Sequence, residues 1–227
     1  AQHHPRIAAG RAVQILDGAC HQDAAPAGQQ LRMHPALAAL GILDAAPDVE
    51  VVNPLVGAGE VELVAGGYQF TEGPQWRATE GDLVFTDIPA STIFRYVPGG
   101  SEPTPLRMPS GMANGLAIAP DGALWAAEHG SRTVSRDAVA MASRFEGGRL
   151  NSPNDLVIAE DGTVYFTDPP FGIGDQPGEL PFMGVFRLAG TTLTAEHRGA
   201  LAERPNGLGL SPDGARLYVA YSNDGVV

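Results

Sequence analysis

Arg149–Gly172 reads RLNSPNDLVIAEDGTVYFTDPPFG: a polar turn-forming cluster, then two short apolar runs joined by Asp-Gly, and the whole is one copy of a recurring unit. Asn154 opens NDLVIAEDGTVYFTD, Asn114 opens NGLAIAPDGALWAAE, Asn206 opens NGLGLSPDGARLYVA, and Glu72 opens the looser EGPQWRATEGDLVFTD. One polar residue therefore stands at the same place in each copy. Positions 72, 114, 154 and 206 are separated by steps of 42, 40 and 52 residues, in or near the roughly 40–50-residue period of β-propeller blades. A solenoid of helical hairpins can share that period but needs apolar residues every 3.6 positions, and the copies show none. In the three closer copies a short apolar run precedes Asp121-Gly122, Asp161-Gly162 or Asp213-Gly214 and another follows, which is a strong local hairpin signal. The repeating unit is β.

Working outward, strand-like runs fill the chain from about Val61: LVFTD, TIFRYV, LAIA, ALWAA, LVIA, TVYFTD, GVFRLA, TLTAEHR, LGLS and RLYVA, joined by Gly, Pro, Asp and Ser. The one helical candidate after residue 50 is Asp137–Phe145. Residues 51–227 read as an all-β domain. Residues 1–50 read as an irregular leader or linker, with a short helix possible over Leu31–Leu43 and an incidental pair at His3 and His4. Trp76 and Trp125 lie in strand-like runs and are expected in the core.

The chain has 14 basic and 26 acidic residues among 227, a formal charge of −12. That argues against nucleic acid or an anionic membrane as partner, since both call for a basic face; it leaves plain solubility or a cation-attracting field. Cys20 is the sole cysteine, so no intrachain disulfide and no Cys-based zinc site can form. No run reaches the roughly 18 apolar residues of a spanning helix, and no secretory signal is visible. The chain opens on Ala1, consistent with either a removed signal or an incomplete sequence, so the compartment stays open between cytoplasm and periplasm, and the oligomeric state is open too.

The strings YQFTEGPQW, AEHGSRTVSR, RFEGGRLNSPNDLVIAEDGTVYFTDPPFG and ERPNGLGLSPDGARLYVA resemble the senescence marker protein (regucalcin)/gluconolactonase/luciferin-regenerating-enzyme family, and among its members the bacterial gluconolactonases. The resemblance implies a six-bladed β-propeller and a divalent-cation-dependent hydrolase that opens small sugar-acid lactones at a site in the central channel. It implies Glu72, Asn154 and Asn206 as metal ligands, with Ca2+ the usual ion and Zn2+, Mg2+ or Mn2+ as substitutes. A fourth ligand, an Asp on the next blade that is also the leading base, has no counterpart before Val227. Within the chain Asp155 and Asp168 are the fallback bases, and Asn114 is a substrate contact rather than a ligand.

The residue chemistry agrees with that implication. Calcium takes six to eight hard oxygen ligands, which one carboxylate, two amides and waters can supply, whereas zinc favours His or thiolate. Polar residues that precede the innermost strand of each blade would all face the axis at one rim. Each also has a plainer reading: Asn before Gly is a favoured turn pair, and Asp168 before Pro169-Pro170 is a common strand-end residue. His129, just after the second strand of its copy, is either an acid/base or substrate donor or a structural hydrogen-bonding ring. Arg149 either caps the channel and contacts substrate or pairs with an acidic neighbour.

Three functions remain: a calcium-dependent lactonase, a phosphotriesterase-like hydrolase on the same scaffold, or a non-catalytic binding propeller whose Asn-Gly and Asp-Gly strings only punctuate blades. Glu72 separates the last from the first if it is a buried channel carboxylate, which is costly without a cation. Residues 61–227, at roughly 42 per blade, supply about four blades. The expectation is a sequence incomplete at its C-terminus, poorly soluble or oligomeric and inactive when expressed alone.

Overall fold

The computed structural model describes residues 13–17 and 62–222, residue 175 excepted. Cys20, His3, His4 and the Leu31–Leu43 segment fall outside them. Residues from Ala65 onward belong to one compact unit; the other, Ala1–Ile15 with Ala19–Val64, lies largely outside the described residues. Every regular element among the described residues is a strand.

Two strands, β1 (Val13–Asp17) and β2 (Glu62–Tyr68), come before the repeats. The first repeat folds as β3 (Thr71–Arg77), β4 (Asp82–Asp87), β5 (Thr92–Tyr96) and β6 (Thr104–Arg107), an antiparallel sheet in sequence order. The second gives β7 (Ala113–Ile118), β8 (Leu124–Glu128), β9 (Thr133–Arg136) and β10 (Val139–Ala142) in the same way. After the hairpin of β11 (Arg144–Phe145) and β12 (Gly148–Arg149) comes a third sheet. It contains β13 (Leu156–Ile158), β14 (Val164–Asp168), β15 (Met183–Ala189) and β16 (Thr192–Gly199). The fourth copy contributes the pair β17 (Pro205–Leu210) and β18 (Leu217–Tyr221). The described residues thus form three four-stranded meanders and one hairpin at the equivalent repeat position.

The hairpins follow from the turn residues. Gly122 and Gly162 adopt φ of 87° and 84°, and their N–H groups bond back to Ala119 and Ala159. Pro120-Asp121 and Glu160-Asp161 therefore make tight turns closed by a left-handed glycine, the three-residue hairpin loop rather than the two-residue one. The helical candidate Asp137–Phe145 is instead a hairpin and a further short strand. Asp137 and Ala138 take φ of 47° and 66° between the paired Arg136 and Val139, a two-residue turn whose twist matches the strands it joins.

The second meander is packed on both faces, against the first and the third, and the inner strands β4 and β14 are buried along almost their whole length, so they read as near-continuous apolar runs. Val84, Ile93, Leu116 and Ala126 fill one layer; Trp125, Val134, Leu156, Phe166 and Phe186 fill the next. Cross-strand partners Phe166 and Phe186 stack with centroids 5.2 Å apart, and Phe85 and Phe94 repeat the arrangement at 5.5 Å. The second sheet has Ala126 opposite Ser135 at that place. Trp125 joins the core as expected, whereas Trp76 is 53% exposed.

Candidate functional site

In three of the four repeats the first strand carries the polar residue and breaks its ladder beside it. Register shifts fall between Glu72 and Gln75, between Ala113 and Leu116, and between Pro205 and Leu208. A bulge re-aims the side chain it displaces, so the recurring irregularity belongs to the site. Glu72, Asn114 and Asn206 are the second residues of β3, β7 and β17, inside the strand rather than ahead of it; only Asn154 precedes its strand, β13.

Neighbouring repeats are tied laterally at these strands. Thr86 Oγ1 donates to the Asn114 carbonyl (3.0 Å), Gly115 N to the Asn154 carbonyl (2.8 Å), and Thr167 Oγ1 to the Asn206 carbonyl (2.7 Å). The approach leaves no room for a side chain: a Cβ on Gly73 would lie 2.4 Å from the Asn114 carbonyl oxygen, and one on Gly115 2.5 Å from Asp155 Oδ1. Close strands bring their polar side chains together. Asn114 Nδ2 donates to Asn154 Oδ1 at 2.5 Å, Asn154 Nδ2 to Asn206 Oδ1 at 2.7 Å, and Asn206 Nδ2 to Ser222 Oγ at 2.7 Å. Three sheets thereby share one amide row.

His129 joins it. Its Nε2 lies 3.1 Å from Asn114 Nδ2 and 3.3 Å from Asn154 Oδ1. A ring protonated on Nδ1 accepts from Asn114, and one protonated on Nε2 donates to Asn154. Burial pushes its pKa below the ordinary imidazole value, with the Asn154 contact acting the other way. Ser222 was absent from the sequence candidates, although a signal existed. Ala113 pairs with Glu128 and Pro205 with Tyr221, so Ser222 is the repeat equivalent of His129, one residue past the second strand.

The carboxylates divide. Glu72 is exposed rather than buried, with Oε2 3.4 Å from Gly73 N, so the burial argument that would separate a catalyst from a scaffold does not apply to it. Asp155 is half-buried and accepts from Leu156 N (2.9 Å) and Leu208 N (3.2 Å), joining the third and fourth repeats; burial raises its pKa against those hydrogen bonds. Asp168 is fully buried and accepts from Asn151 N (2.8 Å). Burial raises it to about 7, while the Asn151 and Ser152 amides and Arg132 pull it down. Its equivalent Asp87 accepts from Gln69 N and Phe70 N, both 3.1 Å, so this position secures the loop ahead of the first strand.

Arg149 donates from Nη2 to the Ser131 carbonyl (3.0 Å), and its backbone N–H binds Glu179 (2.9 Å). The acidic neighbour is real, although the main chain makes that contact. Among the described residues no three His, Cys, Asp or Glu side chains gather into a metal-holding group; what the geometry brings together is the amides of Asn114, Asn154 and Asn206, each linked to the next.

Comparison with known proteins bears on this arrangement. The family model described as the SMP-30/Gluconolactonase/LRE-like region matches residues 70–227. A gluconolactonase of Zymomonas mobilis is 36% identical, over 72% of this chain and 52% of that protein. Pentonolactonase XacC of Haloferax volcanii is 31% identical, over 65% and 48%. The chain thus spans about half the length of the curated relatives it matches. A solved gluconolactonase from Xanthomonas campestris superimposes with a TM-score of 0.64 at 33% identity, covering 68% of this chain and 55% of that one. A calcium-binding regucalcin from Agrobacterium tumefaciens has a TM-score of 0.50 at 18% identity, covering 67% and 50%, and shows the fold alone.

Proposed function

Because the chain belongs to the SMP-30/gluconolactonase/LRE-like family over residues 70–227, we propose that its protein opens sugar-acid lactones by hydrolysis, at the rim where Asn114, Asn154 and Asn206 meet His129. The two curated relatives named for lactone hydrolysis support the reaction class. The observation that carries the site is the amide row, in which the equivalent residues of three successive repeats join through side-chain hydrogen bonds of 2.5 and 2.7 Å.

In the reaction, water adds to the lactone carbonyl, the ring C–O bond breaks, and the ring oxygen leaves as a hydroxyl that has gained a proton. His129 is the titratable group in contact with the row. Held neutral by burial, it can take the proton from the attacking water. Asp155 is less suited because backbone N–H groups occupy both its oxygens, and Asp168 because it is fully buried and tied to the Asn151 loop. Asn114, fixed by both Asn154 and His129, is the substrate contact, and Arg149, whose guanidinium is bound to the Ser131 carbonyl two residues past His129, is the second.

The donor chemistry fits a hard cation. Asn154 and Asn206 offer neutral amide oxygens, and Glu72, at the same repeat position, adds a solvent-accessible carboxylate, a set suited to calcium with water completing the shell. Such an ion polarises the lactone carbonyl and makes bound water more acidic. The test is glucono-1,5-lactone opening in a pH-stat before and after chelation. We expect turnover above the spontaneous rate, its loss with chelator and its return with added calcium; turnover indifferent to chelator would overturn the role of the cation.

A further inference from the structure

Two large apolar side chains stand in the open beside the buried polar row: Phe171 is 41% exposed and Met112 39%, whereas Asn114, His129 and Asn154 are 4–6% exposed. Neither is on a slack loop. The segment after β14 is pinned by fully buried Ser152, whose Oγ donates to the Pro169 carbonyl (2.6 Å) and accepts from Gly172 N (2.8 Å). Ile173 N and Gly174 N both bond back to the Pro170 carbonyl at 3.1 Å. Gly172 then rests on His129, where an added Cβ would lie 2.7 Å from the histidine Cβ, so Phe171 is delivered next to that residue.

Met112 touches the same histidine through its main chain. Its carbonyl accepts from His129 N (3.1 Å), and its Cγ and Sδ press on Gly130, 3.1 Å from where a Cβ would stand. Its φ of 54° is an unusual conformation for a bulky residue, held by a hydrogen bond from Met112 N to Ser91 Oγ (3.0 Å). Strained backbone that its surroundings over-determine concentrates at ligand sites.

We infer that Phe171 and Met112 form an apolar rim at the His129 end of the amide row, and that this rim packs against the C–H face of the lactone ring while the row takes the hydroxyl edge. The inference rests on the lactonase reading and narrows it: a sugar-acid lactone has one hydrocarbon-like face and a polar edge, the same two characters the rim and the row present. Phe171 and Met112 are positioning residues, so they act on binding more than on the bond-breaking step.

The experiment compares the parent protein with F171A, F171Y and M112A by lactone kinetics and by calorimetric binding of gluconolactam, a ring that does not hydrolyse. F171A should raise KM and weaken lactam binding about tenfold, about 1.4 kcal/mol, with kcat and calcium affinity close to the parent's. F171Y, which keeps the ring face, should restore both, and M112A should show a smaller rise in KM. Parent-like lactam affinity and KM in F171A would overturn the rim, as would a fall in kcat with KM unchanged and a lower melting temperature. A parent that binds lactam in a Phe171-dependent way yet opens no lactone would sustain the rim and overturn the hydrolase reading instead.

Discussion

Asn154 shows how much one amide does here, because it accepts from Asn114, donates to Asn206 and meets His129 within 3.3 Å. Its candidacy was legible in the sequence, since a polar residue recurs at that position in every copy, but its bonds to the two neighbouring repeats were not. The exposure of Glu72 was not, because it depends on what lies beside β3. Nor could sequence show that Asp168 is fully buried, a matter of packing by β15 and the Asn151 loop. That burial has a pH consequence. The Asp168 pKa rises from 3.8 to about 7, so between those values the folded protein holds a proton that the unfolded chain has released. Stability from this group is therefore greatest at low pH, declines as pH climbs through about 7, and is flat above. In Asp168→Asn that dependence disappears, and the variant's melting temperature minus the parent's should increase from about pH 4 to about pH 7. A difference constant over that window would remove Asp168 as the source.

At the scale of the element, the first hairpins of the second, third and fourth repeats were legible because Asp-Gly marks their turns, whereas Asp137–Phe145 is a hairpin and a short strand where a helix was expected. Asp137 and Ala138 carry no glycine to announce a left-handed pair, yet both take positive φ; Asp137 Oδ1 accepts from Leu124 N (3.0 Å) and so offsets the strain through a contact distant in sequence. The bulges beside Glu72, Asn114 and Asn206 were invisible for a similar reason, since they fall where neighbouring repeats approach each other. Gly115 is a tightly constrained point of that approach. A Cβ there would lie 2.5 Å from Asp155 Oδ1 and 2.8 Å from the Asn154 carbonyl oxygen, whereas one on Gly162, at φ 84°, meets nothing within 4 Å. Gly115→Ala should cost about 1–3 kcal/mol through overpacking and weaken calcium binding by shifting Asn154. Gly162→Ala should cost about 1–2 kcal/mol through the left-handed backbone while leaving calcium affinity alone. Equal calcium affinities in the two variants, read by calorimetry, would show that strand spacing does not set the site.

For the whole molecule, the period of the copies was enough to name a propeller, and the described residues form its radial units, each β-sheet meander packed on the next. What the period could not supply was which side chains converge, because convergence depends on first strands close enough for Asn amides on neighbouring sheets to touch. The central claim is that this convergence is the lactone-opening site. Its most direct measurement is the rate of glucono-1,5-lactone opening by Asn154→Ala at saturating calcium, with far-UV circular dichroism as the control for folding. The expected result is a fall of at least about a hundredfold, the scale of losing a group that stabilises developing charge, with the β spectrum retained. A folded Asn154→Ala protein that opens the lactone at the parent's rate would contradict it.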